Sequence, residues 1–141
     1  MSADSPTILL VDDDEPTRRI LQRWLAHLGV RGHVLEAEDG QQALAFVEAL
    51  CQTSASPPSL LVLLDLNMPV MDGLEFLEHQ VQLPSVCRQG TTVVVLSGGT
   101  SNATEQARAR ALAVDVKFKP LDIDGLAALV RQYLPAALPG K

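Results

Sequence analysis

Five polar residues directly follow short apolar runs along the chain, and their side chains are of the types that bind metal ions and phosphate groups. They are Asp12 and Asp13 after residues 7–11, Asp65 after residues 60–64, Ser97 after residues 91–96 and Lys119 after residues 114–118. Short apolar runs bounded by turn formers are typical of fully buried strands. Asp65 alone could be a turn cap. The carboxyl ends of parallel strands, however, meet at the sheet edge where ligands bind, so we expect all five side chains to share one site.

The charges of this set favour a bound cation. Three carboxylates held close together repel one another unless a cation lies between them. Oxygen ligands without His or Cys favour Mg²⁺, Mn²⁺ or Ca²⁺ over zinc, and Mg²⁺ commonly completes its shell with water and phosphate. With Mg²⁺ and Lys119 the charges sum to about zero, and a phosphoryl group on Asp65 would leave about -1. The set can therefore hold a phosphoryl group on Asp65, because a carboxylate can attack phosphorus.

Five repeats of a strand followed by a helix are predicted to position these residues. The strands are predicted at 7–11, 33–37, 60–64, 91–96 and 114–118, and the helices at about 16–28, 41–50, 74–83, 102–113 and 123–134. This alternation predicts an α/β fold with a doubly wound parallel sheet, helices on both faces and right-handed crossovers.

Composition limits the classes of protein to consider. The 141 residues fit one domain, and 47% hydrophobic residues argue against disorder. A net charge of -6 argues against direct nucleic-acid binding. The sequence has neither a long apolar stretch nor a secretory signal, so we expect no membrane insertion and a cytoplasmic location. In a reducing cytosol, Cys51 and Cys87 are predicted to be ordinary thiols.

In their order and spacing, five motifs resemble the receiver domain of two-component response regulators, the CheY-like family. The motifs are Val11-Asp12-Asp13, Glu38-Asp39-Gly40-Gln41, Asp65 with Met68-Pro69-Val70-Met71-Asp72-Gly73, Leu96-Ser97-Gly98 and Phe118-Lys119-Pro120. The resemblance implies a flavodoxin-like (βα)5 sandwich with strand order 2-1-3-4-5. It also suggests a stand-alone receiver domain at 7–134, between a disordered N-terminal tail (1–6) and a short C-terminal tail (135–141) with no output domain.

The same resemblance implies a role for each site residue. Asp65 would be the phosphoacceptor, taking a phosphoryl group from a phosphohistidine of a sensor histidine kinase or phosphotransfer protein. Mg²⁺, for which Mn²⁺ can substitute, would be ligated by Asp13, Asp65 and the backbone carbonyl of Asn67, and by Asp12 mainly through water. Ser97 and Lys119 would each bind a phosphoryl oxygen. The Lys119–Pro120 bond is expected to be cis.

Two positions depart from the family pattern. Many receivers carry Tyr or Phe three residues before the lysine, where this chain has Val116, so a serine–aromatic switch is not supported. The second residue past Ser97 is Gly99, which has no side chain to orient an attacking water. We therefore expect slow to intermediate self-dephosphorylation.

Two other functions are compatible with parts of this pattern. An Asp-nucleophile phosphatase or phosphotransferase usually has a second acid two residues after the nucleophile, where this chain has Asn67. A phosphorylation-independent adaptor would not need the acidic site. The expected protein is therefore not an enzyme, and its response passes to a downstream protein target; the apolar face of the last helix fits either core packing or a homodimer.

Several neighbouring charges and turns have simpler interpretations. Asp14 and Glu15 are expected to favour the start of the first helix, and Asp72-Gly73 to form a turn and a helix cap. Arg18 and Arg19 are predicted to be solvated helix charges.

Overall fold

The structure is a computed structural model that describes residues 6–53, 59–66, 68, 70–98, 102–118 and 121–139. Its strands are β1 (Thr7–Val11), β2 (His33–Ala37), β3 (Leu60–Asp65), β4 (Thr91–Ser97) and β5 (Asp115–Phe118). Its helices are α1 (Glu15–His27), α2 (Gly40–Thr53), α3 (Gly73–Gln80), α4 (Ser85–Gln89), α5 (Ala103–Leu112) and α6 (Ile123–Tyr133), followed by a 3-10 turn at Pro135–Ala137. The strands form one parallel sheet in the order β2-β1-β3-β4-β5, which confirms the predicted fold class and strand order.

The sheet separates two hydrophobic clusters because alternate strand residues point to opposite faces. One face packs against α2, α3 and α5 through Leu9, Val11, Val62, Leu64, Val93 and Val95. The other packs against α1 and α6 through Ile8, Leu10, Leu61, Leu63, Val94 and Leu96. The apolar face of α6 lies in this second cluster, so core packing accounts for it.

Helices α1, α3 and α5 begin where short polar residues satisfy their free amides. Asp14 accepts a hydrogen bond from the amide of Thr17 and caps α1, as predicted. Asp72 and Asn102 each form a capping box, with Glu75 and Glu105 respectively.

The segment between β3 and β4 differs from the prediction in the length of α3 and in the presence of α4. α3 ends at Gln80 rather than near 83. Pro84 disfavours helical geometry at Leu83, which limits how far the helix could extend. Pro84 then precedes the short helix α4, which lies between the helix predicted at 74–83 and the strand predicted at 91–96 and was not itself predicted.

The prediction that Cys51 and Cys87 are free thiols is wrong. The two residues form a disulfide bond, with their Cα atoms 5.3 Å apart and their positions separated by 36 in sequence. They come together because α2 and α4 pack against each other on one face of the sheet. Sequence spacing over such a separation carries no signal for this pairing.

Packing continues beyond Leu134. Ala137 in the 3-10 turn is fully buried, and its carbonyl accepts a hydrogen bond from the amide of Arg31 at 2.6 Å. Of the predicted N-terminal tail, residues 1–5 lie outside the described residues, while the carbonyl of Pro6 accepts a hydrogen bond from the amide of His33. No helix in the described part of the chain has both the length and the apolar character needed to cross a membrane.

Candidate functional site: an acidic cluster at the carboxyl edge of the sheet

The structure brings three of the predicted carboxylates together. In the register of β1 and β3, Val11 pairs with Leu64, so Asp12 and Asp65 are the next residues on adjacent strands. Asp12, Asp13 and Asp65 each offer an oxygen within 4.8 Å of the others. Asp12 and Asp65 are only 5% and 7% exposed, whereas Asp13 is open to solvent.

Ser97 lies on the next strand beside this cluster. Asp65 pairs with Leu96 in the register of β3 and β4, so Ser97 is one residue further along. Its side chain is fully buried, and its hydroxyl donates a hydrogen bond to the carbonyl of Gly98 at 3.0 Å. Lys119, Asn67 and Gly99 lie outside the described residues.

Two glycines shape the loop that follows Asp65. The amide of Gly73 donates to the carbonyl of Leu66 at 2.9 Å, and a Cβ at position 73 would lie 2.6 Å from the carbonyl oxygen of Asp65. The amide of Gly40 donates to the carbonyl of Met71, and a Cβ at position 40 would lie 2.6 Å from the same oxygen. Both positions therefore need glycine, since these separations are too short for a carbon atom. Together with the Asp72 capping box, the contact at Gly73 confirms the predicted turn and cap.

Within the same loop, Val70 has a left-handed backbone with φ of 68° and a side chain that is 75% exposed. This conformation is unfavourable for a β-branched residue.

Asp12 is held by hydrogen bonds at its amide and at its carboxylate. Its amide donates to the carbonyl of Ala37 at 3.1 Å, which extends the pairing of β1 with β2 by one residue. Its carboxylate Oδ1 accepts a hydrogen bond from the amide of Asp14 at 2.9 Å. Asp13 therefore lies between two anchored residues.

The prediction that Arg18 is a solvated charge is wrong. Its side chain is 8% exposed; Nη1 donates to the backbone carbonyl of Asp12 at 2.6 Å, and Nε donates to Glu36 at 2.8 Å. Arg18 precedes the buried Leu21 and Leu25 by three and seven residues, so helical periodicity places it on the buried face of α1. That spacing is the sequence signal for its burial. Arg19 is exposed, as predicted, and pairs with Glu15.

The hydrogen bond from Arg18 is the main reason that the pKa of Glu36 lies below its usual value; burial opposes the shift, and a hydrogen bond from Gln22 supports it.

Val116 is buried in the cluster that includes α5 and pairs with Val95 of β4. The position three residues before Lys119 thus holds an aliphatic side chain packed in the core.

The acidic cluster is chemically suited to a divalent cation. Its donors are carboxylate oxygens alone, which is the set preferred by Mg²⁺, Mn²⁺ and Ca²⁺. The exposure of Asp13 leaves one side of the cluster open to water, which Mg²⁺ retains in its coordination shell. The three residues thus fit such an ion by chemistry and by proximity.

Comparison with known proteins agrees with this arrangement. The family model described as response regulator receiver domain matches residues 8–131. A probable chemotaxis protein CheY from Rhizobium etli is 29% identical over 134 residues, covering 95% of this chain and 96% of that protein. The virulence sensor protein BvgS of Bordetella pertussis is 33% identical over 136 residues, covering 94% of this chain but 10% of that protein.

Among solved structures, the phosphorylated cyanobacterial phytochrome response regulator RcpA is 29% identical and superposes with a TM-score of 0.73, covering 96% of this chain and 99% of its own. The family match spans nearly all of the sheet and the helices around it. The chain therefore belongs to the response regulator receiver domain family.

Proposed function

We propose that the protein is a phosphoacceptor that takes a phosphoryl group onto Asp65 from a phosphohistidine of a sensor histidine kinase or phosphotransfer protein. The observation that carries the proposal is the buried carboxylate of Asp65 at the end of the central strand, with carboxylate oxygens of Asp12 and Asp13 within 4.8 Å of it. Family membership supports the same role.

In the proposed reaction, a carboxylate oxygen of Asp65 attacks phosphorus and forms an acyl phosphate. The bond between phosphorus and the histidine nitrogen breaks, its electron pair stays on the imidazole, and that nitrogen then carries a proton from solvent. Catalysis in such a transfer is mostly positioning and charge stabilisation.

We propose that Asp12, Asp13 and Asp65 hold Mg²⁺, or Mn²⁺ in its place, with the backbone carbonyl of Asn67 as a further ligand. The ion supplies positive charge that offsets the negative charge of the incoming phosphoryl group. Ser97 follows the residue paired with Asp65 and is proposed to donate a hydrogen bond to one phosphoryl oxygen. Lys119 comes next in the sequence after Phe118, whose backbone pairs with Ser97, and is proposed to bind another.

The response is proposed to pass to a downstream protein. Phosphorylation would change the balance between two arrangements of the segment around Ser97. Because position 116 holds a buried valine, we propose that this response does not use the serine–aromatic switch of many receivers. With Gly99 unable to orient water, we propose slow to intermediate self-dephosphorylation.

Incubation with acetyl phosphate and Mg²⁺, followed by intact mass spectrometry, tests the proposal. We expect the gain of one phosphoryl group, its absence in Asp65→Asn, and its absence when Mg²⁺ is chelated. Asp72→Asn is the matched control, because it makes the same chemical change at the far end of the loop that follows Asp65, and Asn also caps helices well. Unchanged mass in the unaltered protein would contradict the proposal and favour an adaptor.

A phosphatase or phosphotransferase remains the competing function, since it would use the same nucleophile. Continuous release of inorganic phosphate over many turnovers would identify it. The residue two positions after the nucleophile is Asn67, which cannot act as the acid or base that such turnover needs.

A further inference from the structure

We infer that Arg18, anchored by Glu36, is a positioning residue that sets the metal affinity of the acidic cluster. This inference rests on the proposed function, because it assigns Arg18 a role in preparing the same site. Arg18 donates its hydrogen bonds to Glu36 and to the carbonyl of Asp12, so it would act on the cluster through the backbone of Asp12.

The contact is made at a point that controls Asp13. The carbonyl oxygen that accepts from Arg18 belongs to the peptide group that joins Asp12 to Asp13. Because a peptide group is planar, fixing its oxygen also fixes its nitrogen and the direction in which Asp13 leaves the strand. The 2.6 Å hydrogen bond therefore helps to fix the position of the backbone from which the exposed carboxylate of Asp13 extends.

The anchor comes from the neighbouring strand. Ala37 holds the amide of Asp12 directly, and Glu36, the residue before it in β2, holds Arg18 by a hydrogen bond to Nε at 2.8 Å. The second carboxylate oxygen of Glu36 accepts from Gln22 at 2.9 Å. Consecutive residues of β2 thus support Asp12 at its amide and, through Arg18, at its carbonyl.

The Arg18–Glu36 pair holds the backbone of Asp12 in place and adds little net charge near the acidic cluster. An unpaired guanidinium near the cluster would repel a cation, and an unpaired carboxylate would attract one. Because Arg18 and Glu36 form an ion pair, these two effects largely cancel. Outer partners that orient metal ligands typically change metal affinity by about 10- to 100-fold when they are removed.

The test uses the double variant Arg18→Gln/Glu36→Gln, which removes one positive and one negative charge and so keeps the net charge. Mn²⁺ affinity of the unphosphorylated full chain is measured by electron paramagnetic resonance, and folding is checked by circular dichroism. We expect affinity to fall by about tenfold or more. The matched control is Arg19→Gln/Glu15→Gln, which removes an exposed pair, at 2.9 Å, from the same helix and should leave affinity unchanged.

A second measurement separates positioning from general stability. The rate of phosphorylation by acetyl phosphate is followed as Mg²⁺ is varied, and the double variant should need more Mg²⁺ for half of its maximal rate while reaching a similar maximum. If the double variant does not fold, Arg18→Gln alone removes the hydrogen bond to the carbonyl of Asp12. It should still weaken Mn²⁺ binding, although the unpaired carboxylate of Glu36 would by charge alone strengthen it.

The outcomes distinguish this inference from the proposed function. A folded variant that binds Mn²⁺ as tightly as the unaltered protein overturns the role of Arg18 and leaves the proposed function standing. Failure of the unaltered protein to bind Mn²⁺ or to accept a phosphoryl group overturns both.

Discussion

Cys51 near the end of α2 and Cys87 in α4 are joined by a disulfide bond, with their Cα atoms 5.3 Å apart. The bond lies toward the sheet edge where β3 and β4 begin, since the carbonyl of Gly90 after α4 accepts from the amide of Leu60. The acidic cluster lies at the opposite edge. The bond therefore constrains the fold at a distance from the site.

Reduction of this bond is expected to lower stability and leave the site intact. Closing a loop across 36 residues restricts the unfolded chain, which corresponds to about 3–4 kcal/mol. Urea unfolding with and without dithiothreitol measures the change, and Mn²⁺ affinity should stay the same. The Cys51→Ser/Cys87→Ser variant should be insensitive to dithiothreitol; equal unfolding midpoints for the oxidised and reduced protein would contradict the prediction.

Replacing Val70 with Asn should stabilise the protein. Val70 has φ of 68°, where Asn is tolerated and a β-branched side chain is not, and its exposed side chain loses little packing. The free energy of unfolding should rise by about 1 kcal/mol, as measured by urea titration. Val114→Asn is the control, since Val114 is also exposed but has no positive φ. An equal effect at both positions would show that backbone strain is not the cause.

Removing one carboxylate from the cluster should stabilise the protein when divalent cations are absent. Asp13→Asn relieves repulsion among groups within 4.8 Å of each other, worth up to about 1 kcal/mol in a solvated setting. Added Mg²⁺ should stabilise the unaltered protein by mass action and should stabilise the variant less. Thermal unfolding in EDTA and in MgCl₂ measures both effects. Glu48→Gln, an exposed change in α2, controls for net charge; the same Mg²⁺ response in Asp13→Asn and the unaltered protein would count against the site.

Stability should fall in acid partly through Glu36 and Asp115. The hydrogen bond from Arg18 lowers the pKa of Glu36 below 4.5. Burial opposes ionisation of Asp115, but the hydrogen bonds from Tyr133 and the amide of Val116, with the charge of Lys117, outweigh it and bring its pKa below 3.8. Each group therefore contributes stability that is fully present above these ordinary values and is lost as the pH falls through the lowered pKa.

Unfolding free energies measured from neutral pH to pH values below 4 check this behaviour. Tyr133→Phe removes the donor to Asp115, so its stability should fall less steeply in acid than that of the unaltered protein, by under about 1 kcal/mol. Burial, and next the hydrogen bond to Asp115, raise the pKa of Tyr133 above 10.0, so its own contribution is present below that pH and is lost as the pH rises through the raised value. Parallel acid curves for the two proteins would contradict the assigned hydrogen bond.

The sheet and the acidic cluster could be predicted because their signals are local. Each buried strand is a short apolar run, and Asp12 and Asp65 directly follow β1 and β3, so topology alone brings them together. The role of Asp72 was predictable for the same reason, since capping depends on residues three positions apart.

The features that were missed depend on tertiary contacts or on competing signals. The disulfide needs α2 and α4 to pack together, and no spacing rule reports that. Arg18 was judged by its charge although its position matched the buried face of α1. Helix α4 has only five residues and lies between Pro84 and Gly90, which are turn formers and indicate a loop rather than a helix.

The sheet holds its strands with unequal strength. β3 has six buried residues and neighbours on both sides, whereas β5 has four residues and pairs with β4 alone. Local opening of a fold begins where such pairing is weakest, so amide hydrogens of β5 should exchange with solvent long before those of β3. The proposed acceptor thus lies on a strand that is paired on both sides, and the lysine proposed to bind its phosphoryl group follows a short strand that is paired on one side. The strand that carries the proposed acceptor is thus held rigidly, whereas the edge of the sheet at β5 is expected to open more readily.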